Sequence, residues 1–145
     1  MRVTDVSHPK ENDFEVLKNG LNEYNHQFTG PLYRKKISSF VKDENNQTVG
    51  GILGEIKWGW LYIEGLWVSD CARSKGLGSE LLDKLESFAI SNGITNFRLE
   101  TTSFQVLDFY KKQGYVQFGQ LPDMPPTFTS YFLKKQIDSE ISNQL

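Results

Sequence analysis

The six residues Arg73-Ser74-Lys75-Gly76-Leu77-Gly78 hold the most concentrated chemical signal in the chain. They lie between an aromatic and β-branched run, Trp60–Val68, and an apolar stripe at helical spacing. Glycines let a backbone turn tightly and present N–H groups with no side chain in the way. A helix starting there adds unpaired donors and roughly half a positive charge in its first turn. Arg73 and Lys75 contribute cations, and Ser79 a hydroxyl. This combination predicts binding of a phosphate or diphosphate on main-chain amides. It is neither a nucleotide P-loop, which needs G-x-x-x-x-G-K-[ST], nor a dinucleotide fingerprint, because no third glycine follows at 81. Taken alone, the loop reads equally well as an ordinary glycine-led helix start.

A carboxylate inside an apolar strand is the second signal. Glu64 stands among Leu61, Ile63, Leu66 and Val68. Alternation places Tyr62, Glu64 and Leu66 on one face if no bulge intervenes. Burial there makes Glu64 a better base, whereas a solvent-facing position makes it an ordinary surface charge or half of a salt bridge. Other candidates carry less. His8 and His26 lack metal-ligand spacing and read as loop histidines. Cys71 reads as a small semi-buried residue, and Trp58, Trp60 and Trp67 as packing for the sheet and hairpin, with Trp60 a candidate wall of an acceptor pocket. Phe104 and Gln105 are candidates for the acceptor side.

These residues sit in a chain of 145 residues, enough for one domain (1–145) with its own core. At 38% hydrophobic the chain is too apolar to be disordered, and a net charge of -2 excludes a strongly basic nucleic-acid footprint. The one cysteine excludes an internal disulfide framework and a zinc cluster built on paired cysteines, and no metal site is expected. No signal-like or membrane-length apolar run is present, so a cytoplasmic protein is expected.

The elements that must position the loop follow from periodicity. Met1–Val6 is a candidate short strand. Phe14, Leu17, Leu21 and Tyr24 predict a helix over 11–24, weakened by Gly20, and 25–36 reads as a loop or a broken second helix. Strands are predicted at 37–42, 48–57 and 60–68, with Trp58-Gly59 as a hairpin tip. Leu77, Leu81, Leu82, Leu85, Phe88 and Ala89 mark the helix after the loop, closed by Asn92-Gly93. Strand 94–101, helix 104–113 and strands 115–119 and 127–135 complete an α/β domain with a mixed sheet, the last two strands joined by a loop over 121–126. Apolar surface around Phe128, Tyr131 and Phe132 makes a homodimer conceivable.

Two spaced blocks carry a family resemblance. Leu66-Trp67-Val68 followed by Arg73-Ser74-Lys75-Gly76-Leu77-Gly78 resembles the L-x-V…R-x-x-G-x-G signature of the GNAT superfamily of N-acetyltransferases. Phe109-Tyr110-Lys111-Lys112-Gln113-Gly114-Tyr115 resembles that family's F/L-Y-x-x-x-G-F/Y element, and Ser103-Phe104-Gln105 before it is similar to a small bacterial-type subgroup. The resemblance implies a mostly antiparallel sheet with one splayed parallel strand pair, here 60–68 and 94–101, and acetyl-coenzyme A bound in the opening. The pantetheine arm would pair with the main chain around Leu66 and Val68, and the pyrophosphate would rest on Arg73, Ser74, Lys75, Gly76, Gly78 and Ser79. Ser103 stands where many members place a cofactor-contacting Asn. A main-chain N–H at Val68 or its neighbour would be the oxyanion donor, Tyr110 the general acid, and Glu64 the base or a binder of the cationic amine. The implied acceptor is a primary amine, favouring a small molecule. A protein lysine or N-terminus, or a non-catalytic acyl-coenzyme A sensor, are the alternatives.

Overall fold

A computed structural model of the chain describes residues 1–138; residues 139–145 of the expected domain lie outside the described residues. The chain forms two compact units, Met1–Leu32 and one beginning at Tyr33.

The first unit holds helix α1, Glu11–Thr29. The short strand expected at Met1–Val6 is absent: residues 1–10 form neither helix nor strand. Two valines three apart make no alternating face, and a strand needs a partner for its backbone groups. The helix also runs beyond Tyr24 to Thr29, into the segment expected to be a loop or a broken second helix. It carries Gly20 in its interior, at a cost of about 1 kcal/mol relative to alanine. It ends at Gly30, whose φ of 65° suits glycine and whose N–H donates to the His26 carbonyl at 2.9 Å.

The second unit is built on a six-stranded sheet in the order β1-β2-β3-β4-β6-β5. The strands are β1 Lys35–Lys42, β2 Thr48–Lys57, β3 Trp60–Val68, β4 Asn96–Thr102, β5 Val116–Pro122 and β6 Thr129–Gln136. Every neighbouring pair is antiparallel except β3 and β4, which run parallel. The β2–β3 hairpin turns on Trp58 and Gly59 at φ 52° and 80°, the paired positive angles that match a strand's right-handed twist.

Helix α2, Leu77–Ser91, covers one face of the sheet. Its Leu81, Leu82, Leu85 and Ala89 close over Ile52, Ile56, Leu61, Ile63, Phe97, Leu99 and Leu133. Gly54 permits this approach, since a Cβ there would stand 3.0 Å from the Leu85 side chain and 3.0 Å from the Tyr62 carbonyl. Glu86 is buried on the same helix, accepting from Tyr115 Oη at 3.0 Å and from Lys135 Nζ at 3.1 Å.

The helix expected over 104–113 is shorter, α3 Leu107–Lys112. The Gln105 side chain takes the preceding residues into a turn: its Oε1 accepts from Thr102 N–H at 2.9 Å and from the Thr101 hydroxyl at 3.1 Å. The last strands begin and end later than expected. Phe128 and Phe132 serve intramolecular contacts, Phe128 edge-on to Phe104 at 4.9 Å and Phe132 tilted against Phe118 at 6.3 Å.

Two irregularities in β3 set up the rest. Leu53 of β2 pairs with Gly65 while its neighbour Gly54 pairs with Ile63, so Glu64 is the extra residue of a β-bulge. The bulge reverses the alternation. Leu61 and Ile63 are buried under α2, and beyond Glu64 it is Leu66 and Val68 that pack on that core. The expected common face of Tyr62, Glu64 and Leu66 is therefore corrected: Leu66 turns to the α2 side, away from Tyr62. The second irregularity is that β3 and β4 pair only at Leu61↔Phe97, Tyr62↔Arg98 and Ile63↔Leu99, then part.

Candidate active site

The parting of β3 and β4 opens a cavity of about 650 Å³. Glu64, Leu66 and Val68 line it from β3, Arg73, Ser74, Gly76, Gly78 and Ser79 from the loop and first turn of α2, and Tyr110 from α3. The fold thus brings Glu64 and Tyr110, from distant parts of the chain, to one cavity. Lys75 and Ser103 are the two expected residues that do not line it. Lys75 is exposed in the loop. Ser103 is committed to β6: its N–H donates to the Thr129 carbonyl at 2.8 Å and its hydroxyl accepts from Thr129 N–H at 3.2 Å.

The loop has the geometry of an anion cradle. Ser74 and Gly76 take left-handed φ angles of 64° and 75°, folding the chain so that successive amides converge. The first backbone bond of α2 is Glu80 N–H to Gly76 O at 3.0 Å, and no side chain caps the helix. The N–H groups of Leu77, Gly78 and Ser79 precede that bond and are left for a ligand. A Cβ at Gly76 would meet nothing within 4 Å, and one at Gly78 only the Phe109 ring at 3.6 Å. Both glycines stand at the surface of the cavity, which a diphosphate on these amides requires. Arg73 is already partly engaged: Nε donates to the Val68 carbonyl at 2.9 Å and Nη1 pairs with Asp70 at 2.7 Å. The Ser79 hydroxyl donates to Gln113 Oε1 at 3.3 Å.

The edge of β3 is the second binding element. Ser69 N–H donates to Val49 O at 2.8 Å, toward β2. By alternation the main-chain groups of Leu66 and Val68 point the other way, into the opening. The Val68 carbonyl taken by Arg73 agrees, and it places the Val68 N–H on the same side. An extended chain with amide groups, such as a pantetheine arm, has a strand edge to pair with there.

Tyr110 is 7% exposed, and its hydroxyl has no hydrogen-bond partner among the described residues. Burial pushes the phenol up to about 12, so it is protonated throughout the neutral range. Its ring is held edge-on by Phe109 at 5.1 Å and Tyr115 at 6.0 Å. A neutral O–H facing a cavity can give a proton to a leaving group. Glu64, by contrast, is exposed rather than buried, because the bulge lifts it out of the packed alternation. Cys71 is likewise exposed rather than semi-buried, and so are Trp58 and Trp67. Glu100 of β4 also lines the cavity, which the sequence reading missed. Tyr62, beside the fork, has its phenol pushed up by burial and by the charge of Glu100, with Arg98 opposing and Glu64 adding. Among the described residues no group of three potential metal ligands comes together, and no helix is long and apolar enough to cross a membrane.

Comparison with known proteins agrees with this geometry. Residues 7–115 match the acetyltransferase (GNAT) family. The blasticidin-S acetyltransferase of Streptomyces morookaense is 36% identical over 101 residues, covering 69% of this chain and 74% of that one. A crystal structure of an acetyltransferase from Bacillus cereus superposes with a TM-score of 0.81 at 30% identity, over 92% of this chain and 98% of the other. A Bacillus anthracis protein solved in complex with acetyl coenzyme A shares the fold, with a TM-score of 0.64 at 23% identity over 79% of this chain and 68% of that one. The chain belongs to the GNAT acetyltransferase family.

Proposed function

We propose that this GNAT family member acts as a single cytoplasmic domain that transfers acetyl from acetyl-coenzyme A to a primary amine of a small molecule, by direct attack. The observation that carries the reading is the meeting of three groups in one cavity: the amides of the α2 start, the Glu64 carboxylate and the unpartnered Tyr110 hydroxyl. The similarity to a blasticidin-S acetyltransferase supports a small acceptor.

Acetyl-coenzyme A supplies a thioester carbonyl and a thiolate leaving group. The chain's own residues do the rest. Amides of Gly76–Ser79 and the Arg73 side chain hold the diphosphate. The edges of Leu66 and Val68 hold the arm as an added strand would be held, fixing the thioester in the fork. The Val68 N–H donates to the oxygen that becomes negative during attack. The amine nitrogen forms its bond to the acetyl carbon as the carbon–sulfur bond breaks. Tyr110 gives its proton to the departing sulfur and is restored by the proton that the acylated nitrogen sheds. Glu64 binds the incoming ammonium and takes its proton directly or through water. An exposed carboxylate suits the binding part of that task better than the proton transfer.

The test is a thiol-release screen across small amines, run beside a calorimetric titration with acetyl-coenzyme A. The reading predicts donor binding and thiol release with a subset of amines. Donor binding without release for any amine, together with no modified protein by mass spectrometry, contradicts it and leaves an acyl-coenzyme A binding module.

A further inference from the structure

One buried charged cluster takes no part in the transfer described above. Glu86 of α2 is 6% exposed; it accepts from the Tyr115 hydroxyl at 3.0 Å, and from Lys135 Nζ of β6 at 3.2 Å and 3.1 Å on its two oxygens. Such partners hold a buried carboxylate in one place, and losing one of them is costly. Tyr115 is 2% exposed and stands just past the end of α3, the helix that carries Tyr110. Its ring meets the Tyr110 ring edge-on at 6.0 Å, and its N–H donates to the Tyr110 carbonyl at 3.0 Å. Gly114, in the turn between them, takes a φ of 95°, and a Cβ there would stand 3.4 Å from Lys135 Cε. The lysine therefore runs across this turn on its way to Glu86.

Helix α3 has six residues, whereas an isolated helix needs about 12–15 to persist. Its own bonds cannot fix the Tyr110 side chain, so what α3 is fastened to must do so. The Tyr115–Glu86 bond fastens the end of α3 to α2, the helix whose first turn lines the same cavity as Tyr110. We infer that Tyr115 is a positioning residue: its hydroxyl, anchored on the Glu86–Lys135 pair, sets the Tyr110 phenol in register with the sulfur of a donor held at the start of α2. This rests on the acetyl-transfer reading above. A misplacement of about 1 Å at a reacting group can lower a rate by about a hundredfold. The hydroxyl supplies the register rather than the ring, because a phenylalanine fills the same space and carries no bond to α2.

The experiment compares wild type, Tyr115→Phe, Tyr110→Phe and the double variant. Thiol release from acetyl-coenzyme A is followed with the most active amine of the screen above. Fluorine NMR is recorded on the same proteins carrying 3-fluorotyrosine and saturated with coenzyme A. Tyr115→Phe lowers kcat by about tenfold with KM for acetyl-coenzyme A within about twofold, and changes kcat by less than about twofold once Tyr110 is already Phe. The Tyr110 signal, identified by its absence from Tyr110→Phe, broadens or splits in Tyr115→Phe. From the other partner, Glu86→Met gives a similar loss of kcat, and Glu86→Gln, whose amide oxygen still accepts from the phenol, recovers most of it. Wild-type kcat in Tyr115→Phe, or the same loss in both Tyr110 backgrounds, overturns the inference, since a residue that only supports the fold acts regardless of Tyr110. Equal losses in Glu86→Met and Glu86→Gln overturn it as well. Wild-type kcat in Tyr110→Phe contradicts the acid role instead; the fluorine spectrum then decides the positioning alone, and a Tyr110 signal unmoved by Tyr115→Phe overturns it.

Discussion

Arg73 Nε donates to the carbonyl of Val68 at 2.9 Å, so the side chain that leads into the glycine loop also clamps the end of β3. The contact fixes the direction of the Val68 peptide edge, whose N–H faces the same opening. The proposed binding loop and the proposed oxyanion donor are thereby joined through one guanidinium. Removing it in Arg73→Ala costs both a cation near the diphosphate and the clamp. We expect KM for acetyl-coenzyme A to rise about tenfold or more, the scale of a lost charged hydrogen bond, and kcat to fall as well. Steady-state kinetics read both. Arg73→Lys should recover part of the KM but little of the kcat, because an ammonium lacks the planar fork.

Gly78→Glu separates binding from folding. A Cβ at this position meets only the Phe109 ring at ordinary contact distance, so the backbone accepts a side chain. The carboxylate then stands at the amides meant for a diphosphate. Acetyl-coenzyme A binding should vanish from calorimetry while the melting temperature stays within a few degrees of wild type, about 1 kcal/mol of stability. Unchanged affinity means that the diphosphate lies elsewhere.

Glu64→Gln tells a base from a cation binder. The bulge exposes Glu64, so the substitution leaves the core intact. A lost general base lowers kcat by about a hundredfold or more, whereas a lost ammonium partner chiefly raises the amine KM. The role drawn above predicts a rise in amine KM together with a smaller loss of kcat. No change in either parameter removes Glu64 from the site.

Glu86 makes a prediction about stability. Burial raises its carboxyl above the ordinary value of 4.5, with Lys135 and the Tyr115 hydroxyl opposing and Asp83 adding. A folded value above the unfolded one means that the native state binds this proton more tightly. The contribution is therefore fully present below the unfolded value and is lost as pH rises through the folded one. From pH 7 toward 4, the stability of wild type should rise relative to Glu86→Gln in urea titrations. A relative fall over that window shows Glu86 to be stabilised as the anion instead.

Much of this is readable from the sequence, and two of the departures share a cause. The Arg73–Gly78 loop, the strand before it and the apolar stripe of α2 are local patterns, and local patterns survive folding. Which of its two readings Glu64 takes is not legible in the sequence because a bulge is a property of two strands: it appears only once Leu53 and Gly54 are matched to Gly65 and Ile63. Glu100 was missed for the same reason. Within ITNFRLET it is an ordinary polar position, and only the register Ile63↔Leu99 shows that it opens the fork opposite Glu64. Ser103 was placed by analogy with a longer side chain, and its hydroxyl proves to serve the β4–β6 connection through Thr129. The early end of the helix forecast over 104–113 traces to one side chain, Gln105, which bonds back to Thr101 and Thr102.

The most direct measurement is kcat for Tyr110→Phe with acetyl-coenzyme A binding followed in parallel. The lost hydroxyl has no partner among the described residues, so fold and donor affinity should be preserved to within about twofold. If this phenol protonates the departing thiolate, kcat falls by about a hundredfold or more. A variant that binds the donor and turns over at the wild-type rate contradicts the account.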